Sequence, residues 1–169
     1  MTTVTRLGET VHLSGELPRV GSTAPDFRLT RTDLTDVTLA DYAGKRKVLS
    51  IVPSLDTPTC AMSARQFNVR AAALDQTVVL NISADLPFAA ARFCETEGID
   101  GVEALSMLRD RRFATDYGVL QLDGPMAGLT ARAVLVLDRG NRVVHVELVP
   151  EIRQEPDYEA ALSALEKAE

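Results

Sequence analysis

The run Val48-Leu49-Ser50-Ile51-Val52-Pro53-Ser54-Leu55-Asp56-Thr57-Pro58-Thr59-Cys60 joins an apolar, partly β-branched segment to the start of a helix. Val48 to Val52 suits a strand buried on both faces, the kind found in parallel sheets covered by helices. Pro53 ends that strand. Thr57 is a good N-cap, because its hydroxyl can accept from a free backbone N–H. Pro58 then falls at the first helical position, where a missing N–H costs nothing. Apolar residues recur at Cys60, Ala64, Phe67, Ala71 and Leu74, with Arg65, Gln66 and Arg70 between them, so the spacing predicts a helix over 59–74. Cys60 lies in its first turn. The positive end of the helix dipole and unpaired N–H groups there favour a thiolate. The position beyond the carboxyl end of a strand is also where open α/β sheets hold ligands. A cysteine on an apolar stripe is equally a small core hydrophobe. Spacing alone leaves a reactive thiol and an inert one both open.

Outward from this run the chain continues the alternation. Val78 to Ile82 is a second buried strand, and residues 87–97 form a helical segment stopped by Gly98. Leu105 to Leu108 suits a short strand, and Arg111 to Tyr117 one or two helical turns ending at Gly118. Ala133 to Leu137 is an apolar strand that turns at Asp138-Arg139-Gly140-Asn141 and returns as Val143 to Val146. Asp157 to Lys167 carries Tyr158, Ala161, Leu162 and Leu165 at helical spacing. On the N-terminal side, Val4 to Leu7 and Val11 to Leu13 alternate around Gly8-Glu9-Thr10, a hairpin closed by Gly15 and Pro18. Phe27-Arg28-Leu29 and Val37-Thr38-Leu39 form a second pair around Thr32-Asp33, led in by Ala24-Pro25-Asp26, which proline keeps extended. Hairpin, hairpin, β, α, β, α, β, hairpin, α describes one α/β domain over residues 1–169. It has a mixed central sheet flanked by helices and an N-terminal hairpin over 1–15.

Composition narrows the function. The 169 residues are 46% hydrophobic and 25% charged, ordinary values for a folded protein. Acidic residues outnumber basic ones 24 to 18, a net charge of −6 that suits no phosphate-backbone partner. No apolar run reaches the roughly 18 residues a membrane helix needs, and no secretory signal opens the chain. A cytoplasmic protein is expected. Two Cys and two His leave no four-cysteine zinc site and no disulfide scaffold. His145 and Glu147 share a strand face, but a third ligand is missing, so a solvated pair is expected there. No phosphate-binding or dinucleotide-binding glycine loop occurs, so no cofactor and no metal are expected.

Pro53-x-x-x-Thr57-x-x-Cys60 resembles the active-site signature of peroxiredoxins. The longer string Asp56-Thr57-Pro58-Thr59-Cys60-Ala61-Met62-Ser63-Ala64-Arg65-Gln66-Phe67-Asn68 looks like the thiol peroxidase branch, the atypical two-cysteine peroxiredoxins of bacteria. Arg92-Phe93-Cys94 resembles the resolving-cysteine segment of that branch, and Ala131-Arg132-Ala133-Val134 the segment with its arginine. The hairpin ahead of Ala24-Pro25-Asp26-Phe27 is also typical. Four segments in the right order cover nearly the whole chain. The resemblance implies a thioredoxin-like fold and a thiol-dependent peroxidase acting on hydrogen peroxide and organic hydroperoxides. It implies Cys60 as the peroxidatic nucleophile, oxidised to a sulfenic acid. Arg132 would favour the thiolate and hold the peroxide with its forked donors. Thr57 would add its hydroxyl, Pro53 would shield the sulfur, and backbone N–H groups at the helix start would complete the donor set. Read without the resemblance, Arg132 is a surface ion-pair residue, Thr57 only a cap and Pro53 only a strand terminator.

Cys94 lies 34 residues after Cys60, so the pair is no C-x-x-C motif. It shares an expected stripe with Leu86 and Ala90, which pattern alone reads as core. The resemblance makes it the resolving cysteine, joined to Cys60 by a disulfide within one chain and recycled by thioredoxin. It also suggests a homodimer. If both cysteines start on helices, their Cα atoms lie more than about 7 Å apart, beyond disulfide reach, and a helix must loosen in each cycle. Two rivals remain: a general thiol–disulfide oxidoreductase on the same fold, and a non-catalytic binding domain with both cysteines inert.

Overall fold

The computed structural model describes residues 1–71 and 74–168. Seven strands form one mixed sheet, in the order β4 (Asp36–Val37), β3 (Leu29–Arg31), β7 (Val102–Ser106), β6 (Thr77–Ser83), β5 (Arg46–Ile51), β8 (Ala133–Leu137) and β9 (Val143–Leu148). At its centre β5, β6 and β7 run parallel, with Val48 opposite Val79 and Val79 opposite Val102. β8 pairs antiparallel with β5, and β9 with β8. On the other edge β3 lies antiparallel to β7 and to β4. The mixed α/β sheet expected from the strand–helix order is the one observed.

Side-chain alternation divides the core into two layers. Val48, Val79, Val134 and Val136 face α1 (Pro58–Arg70) and α4 (Tyr158–Lys167), where Phe67 and Leu165 are buried. Leu49, Ile51, Leu80, Ile82 and Leu135 face the opposite layer, with Phe27, Phe113 and Tyr117 around the short helix α3 (Arg112–Asp116). The Phe113 and Tyr117 rings stack at 4.3 Å, and the Tyr117 hydroxyl donates to Pro25 O at 2.7 Å. Gly118, at φ +69°, follows α3 where the chain meets Glu16; a Cβ would lie 2.4 Å from the Glu16 carbonyl oxygen. Only glycine fits both the left-handed backbone and this approach.

The N-terminal β1 (Thr3–Arg6) and β2 (Glu9–His12) form a separate two-stranded hairpin. Its turn is Leu7-Gly8, at φ 55° and 83°, not the expected Gly8-Glu9-Thr10. A two-residue turn with both φ values positive matches the twist of the strands, so Glu9 and Thr10 pair with Arg6 and Thr5. The second hairpin also differs from expectation. Phe27 precedes β3, and the chain after β4 coils into a short 3-10 helix at Leu39–Tyr42. There the Thr38 N–H donates to Asp41 Oδ2 at 2.8 Å, a local bond that outcompetes strand pairing. The third parallel strand ends at Ser106, earlier than the expected Leu105 to Leu108. α1 ends at Arg70 rather than 74; the expected helix over Ala72 and Ala73 lies outside the described residues.

α2 (Pro87–Glu97) fills its expected span, and Gly98 closes it at φ 63°. Leu86 does not share the stripe of Cys94. It is the N-cap, with extended backbone, and its side chain is exposed while Ala90 is buried. No helix among the described residues is long and apolar enough to cross a membrane.

Candidate active site

The strand β5 delivers the chain to a turn at residues 53–57, and α1 starts where the sequence places it. Thr57 is the N-cap, with φ −119° and ψ 150°, and Pro58 occupies the first turn. Thr57 Oγ1 accepts from the Cys60 N–H at 3.3 Å and donates to Ser54 O at 3.4 Å. Thr57 thus engages the Cys60 N–H with its hydroxyl, and its carbonyl accepts the first helical bond, from the Ala61 N–H at 2.9 Å. Thr57 therefore acts as a cap whatever else it does.

Cys60 is fully buried, and Arg132, on the segment leading into β8, is 2% exposed. Arg132 Nη2 donates to Cys60 Sγ at 3.2 Å. Its Nε donates to Ile152 O at 3.0 Å, which fixes the plane of the guanidinium. Its Nη1 is buried with no hydrogen-bond partner among the described residues. A surface ion-pair role for Arg132 is thereby corrected: the side chain turns inward onto sulfur. The guanidinium sets a fixed positive charge and a planar fork of donors at the sulfur. An unpartnered buried donor is expensive unless something accepts from it.

Pro53 is buried at the base of the turn. Thr130 Oγ1 holds the neighbouring strand end by donating to Val52 O at 2.9 Å. Val52, Leu55, Cys60, Ala90 and Ala104 form one apolar cluster against which Phe93 and Cys94 pack. Both thiols are free. Cys94 is half-buried, and that burial pushes its thiol pKa up. Cys60, Thr57 and Arg132 thus meet at one point, with Pro53 buried in the turn ahead of α1 and Cys94 packed against the Cys60 cluster.

Sequence reasoning missed three supports. The Ile152 carbonyl that orients Arg132 is backbone and has no sequence signal. Glu151 accepts from Thr5 Oγ1 at 2.8 Å and Leu7 N at 3.1 Å, tying the N-terminal hairpin to that same segment. Asp85 accepts from Ser54 and Leu55 in the turn before Cys60. Its place two residues ahead of Pro87 was the only available hint. Among the described residues no group of three His, Cys, Asp or Glu is placed to hold a metal. Glu147 is not simply solvated beside His145: its carboxylate accepts the Asp157 N–H at 3.0 and 3.1 Å, just ahead of α4.

The Redoxin family model matches residues 19–162. A thiol peroxidase of Leptospira interrogans serogroup Icterohaemorrhagiae serovar copenhageni is 49% identical over 170 residues, covering 99% of both chains. Among solved structures, a peroxiredoxin-like protein from Aquifex aeolicus superposes with a TM-score of 0.93 at 36% identity, over 99% of this chain and 97% of that one. A thiol peroxidase from Chromobacterium violaceum gives 0.90 at 26% identity, over 98% and 95%. A buried cysteine at a capped helix start, an arginine aimed at its sulfur, and likeness over almost the full length lead to one assignment: the chain belongs to the Redoxin family, as a thiol-dependent peroxidase of the peroxiredoxin type.

Proposed function

We propose that Cys60 is the peroxidatic nucleophile and that Arg132 holds the peroxide it attacks. The observation that carries this is the pair of guanidinium nitrogens: Nη2 is 3.2 Å from Cys60 Sγ, and Nη1 is buried without a partner. The thiolate sulfur bonds the near peroxide oxygen and the O–O bond breaks. Both electrons of that bond leave with the distal oxygen, which takes a proton and departs as water or an alcohol. Arg132 Nη1, and the Thr57 hydroxyl once it turns from Ser54, suit the oxygens on which charge gathers. Pro53 keeps bulk water from the sulfenic acid. Cys94 then attacks the sulfenic sulfur, expelling water and leaving an intramolecular disulfide. Thioredoxin returns both thiols by exchange. A cytoplasmic setting fits a pair that must be reduced after every turnover.

Coupled turnover tests this reading. Hydrogen peroxide or cumene hydroperoxide should be consumed with stoichiometric oxidation of thioredoxin. Without peroxide the protein should not reduce insulin disulfides. Insulin reduction without peroxide consumption would instead favour the general oxidoreductase.

A homodimer is proposed on the surface beside this site. Leu86, Phe88 and Leu108 are exposed. Ser106 Oγ joins their two segments, donating to Asp85 O just ahead of Leu86 and accepting the Leu108 N–H. Phe88→Asp should convert a dimer seen by sedimentation into monomers. A wild-type monomer at working concentration would refute the dimer.

A further inference from the structure

We infer that Asp85 is a positioning residue that clamps the Cys60 turn to the base of the Cys94 helix and thereby sets the fate of the Cys60 sulfenic acid. This deepens the peroxidatic and resolving roles proposed above and rests on them.

Asp85 sits between the end of β6 and Leu86, the N-cap of α2. Its carboxylate collects three donors. Oδ1 accepts from Ser54 Oγ at 2.8 Å, and Oδ2 accepts from the Leu55 N–H and from Ser83 Oγ, both at 2.7 Å. Ser83 Oγ in turn accepts the Asp85 N–H at 3.2 Å, and Ser106 Oγ donates to Asp85 O at 2.5 Å. Asp85 is thus pinned from the sheet side by Ser83 and Ser106, and from there it grips the turn 53–57. Ser54 Oγ also accepts the Asp56 N–H at 3.2 Å, so the grip extends toward the Thr57 cap. Hydrogen bonds to a carboxylate are short and stronger than neutral ones. The Arg65–Glu97 ion pair, which also links the two cysteine helices, has an exposed arginine and is open to screening.

One carboxylate therefore joins the two parts of the chain that must separate before the sulfurs can bond. Two reactions compete for the sulfenic acid. In the first, Cys94–SH attacks Cys60–SOH; the S–S bond forms, the S–O bond breaks, and the hydroxyl leaves as water with the thiol proton. In the second, another peroxide oxidises Cys60–SOH to sulfinic acid and is itself reduced to water or alcohol. The first needs the turn or α2 to loosen, whereas the second proceeds in the closed site. A firm clamp favours initial attack on peroxide and overoxidation. A weak clamp favours the disulfide.

The test is single-turnover oxidation of Asp85→Ala, Ser54→Ala and wild type, with disulfide and sulfinate read by mass spectrometry over a series of peroxide concentrations. Asp85→Ala, which removes both bonds to the turn, should form the disulfide at least ten-fold faster, since one hydrogen bond to a charged group is worth about a factor of ten or more. It should need correspondingly more peroxide for half-overoxidation, while its first oxidation step slows. Ser54→Ala, which removes one of the two bonds to the turn, should shift the ratio in the same direction by less. Asp85→Asn, which can retain the Leu55 bond, should move back toward wild type. A merely structural role would slow the first step and leave the ratio alone. Unchanged ratios in Asp85→Ala would overturn the clamp. If that variant does not fold, an unchanged ratio in Ser54→Ala overturns it instead. Failure of wild type to form the Cys60–Cys94 disulfide would overturn the resolving role, and the clamp with it.

Discussion

Cys60→Ser should abolish peroxide consumption while leaving the fold intact. The residue is fully buried in a cluster of Val52, Leu55, Ala90 and Ala104, and serine differs from cysteine mainly in that one atom. What changes is the proposed nucleophile. A serine hydroxyl stays neutral at physiological pH, and Arg132 beside it is a donor, not a base that could take its proton. Turnover near the wild-type rate would remove Cys60 from the chemistry altogether. Arg132→Lys provides the complementary measurement. The guanidinium serves Ile152 O with Nε, Cys60 Sγ with Nη2, and has Nη1 in reserve. An ammonium keeps the charge, but one nitrogen cannot span those three directions. Losing a preorganised donor to developing oxyanion charge should lower the second-order rate with peroxide by about 10²-fold. Stopped-flow kinetics under pseudo-first-order conditions reads this directly. A lysine variant at full rate would show that only the charge matters.

The central strands and the helix carrying Cys60 were legible because each has a local cause. Ala133 to Leu137 is apolar throughout, and β8 occupies that span. Thr57-Pro58 announces the start of α1, and Gly98 the end of α2. What stayed hidden was decided by partners far along the chain. Arg132 was reached through the resemblance alone: it sits at a strand lead-in, where local pattern gives a solvated ion pair. It turns inward because Ile152 O, 20 residues on, and Cys60 Sγ, 72 residues back, both accept from it. Asp85 reads as an ordinary polar residue ahead of a helix until Ser54 and Leu55, some 30 residues earlier, arrive as donors. Leu86 failed for a different reason: helical periodicity was extended one residue past the helix, onto a cap whose backbone points its side chain to solvent. The turn at Leu7-Gly8 defied expectation because a leucine at positive φ is unfavourable locally and is offset by strand pairing.

Cys94→Ser should separate oxidation from resolution. Cys60 and Arg132 are untouched, so the variant should still consume about one equivalent of peroxide per chain, since a single thiolate remains to be oxidised. Catalysis with thioredoxin should then stall, because no disulfide forms for the reductant to attack. The stranded sulfenic acid should pass to sulfinic acid under excess peroxide, visible as a mass gain of two oxygens on the Cys60 peptide. In wild type the same oxidation should leave monomers on a non-reducing denaturing gel, as an intrachain bridge requires. A disulfide-linked dimer as the main product would contradict the assignment. The pH dependence follows from the thiol itself. Burial raises the Cys94 pKa, so near neutral pH the attacking thiolate is scarce. The disulfide-forming step should accelerate as pH rises through the alkaline range, provided attack occurs while Cys94 is still packed against the cluster of Val52, Leu55, Ala90 and Ala104. If α2 opens first, Cys94 gains water, its pKa falls toward the ordinary thiol value, and the acceleration flattens at lower pH. Hydrogen exchange distinguishes the two orders of events: opening before attack should raise exchange in 87–97 in the Cys94→Ser sulfenic form, where no bridge can pull the helix apart.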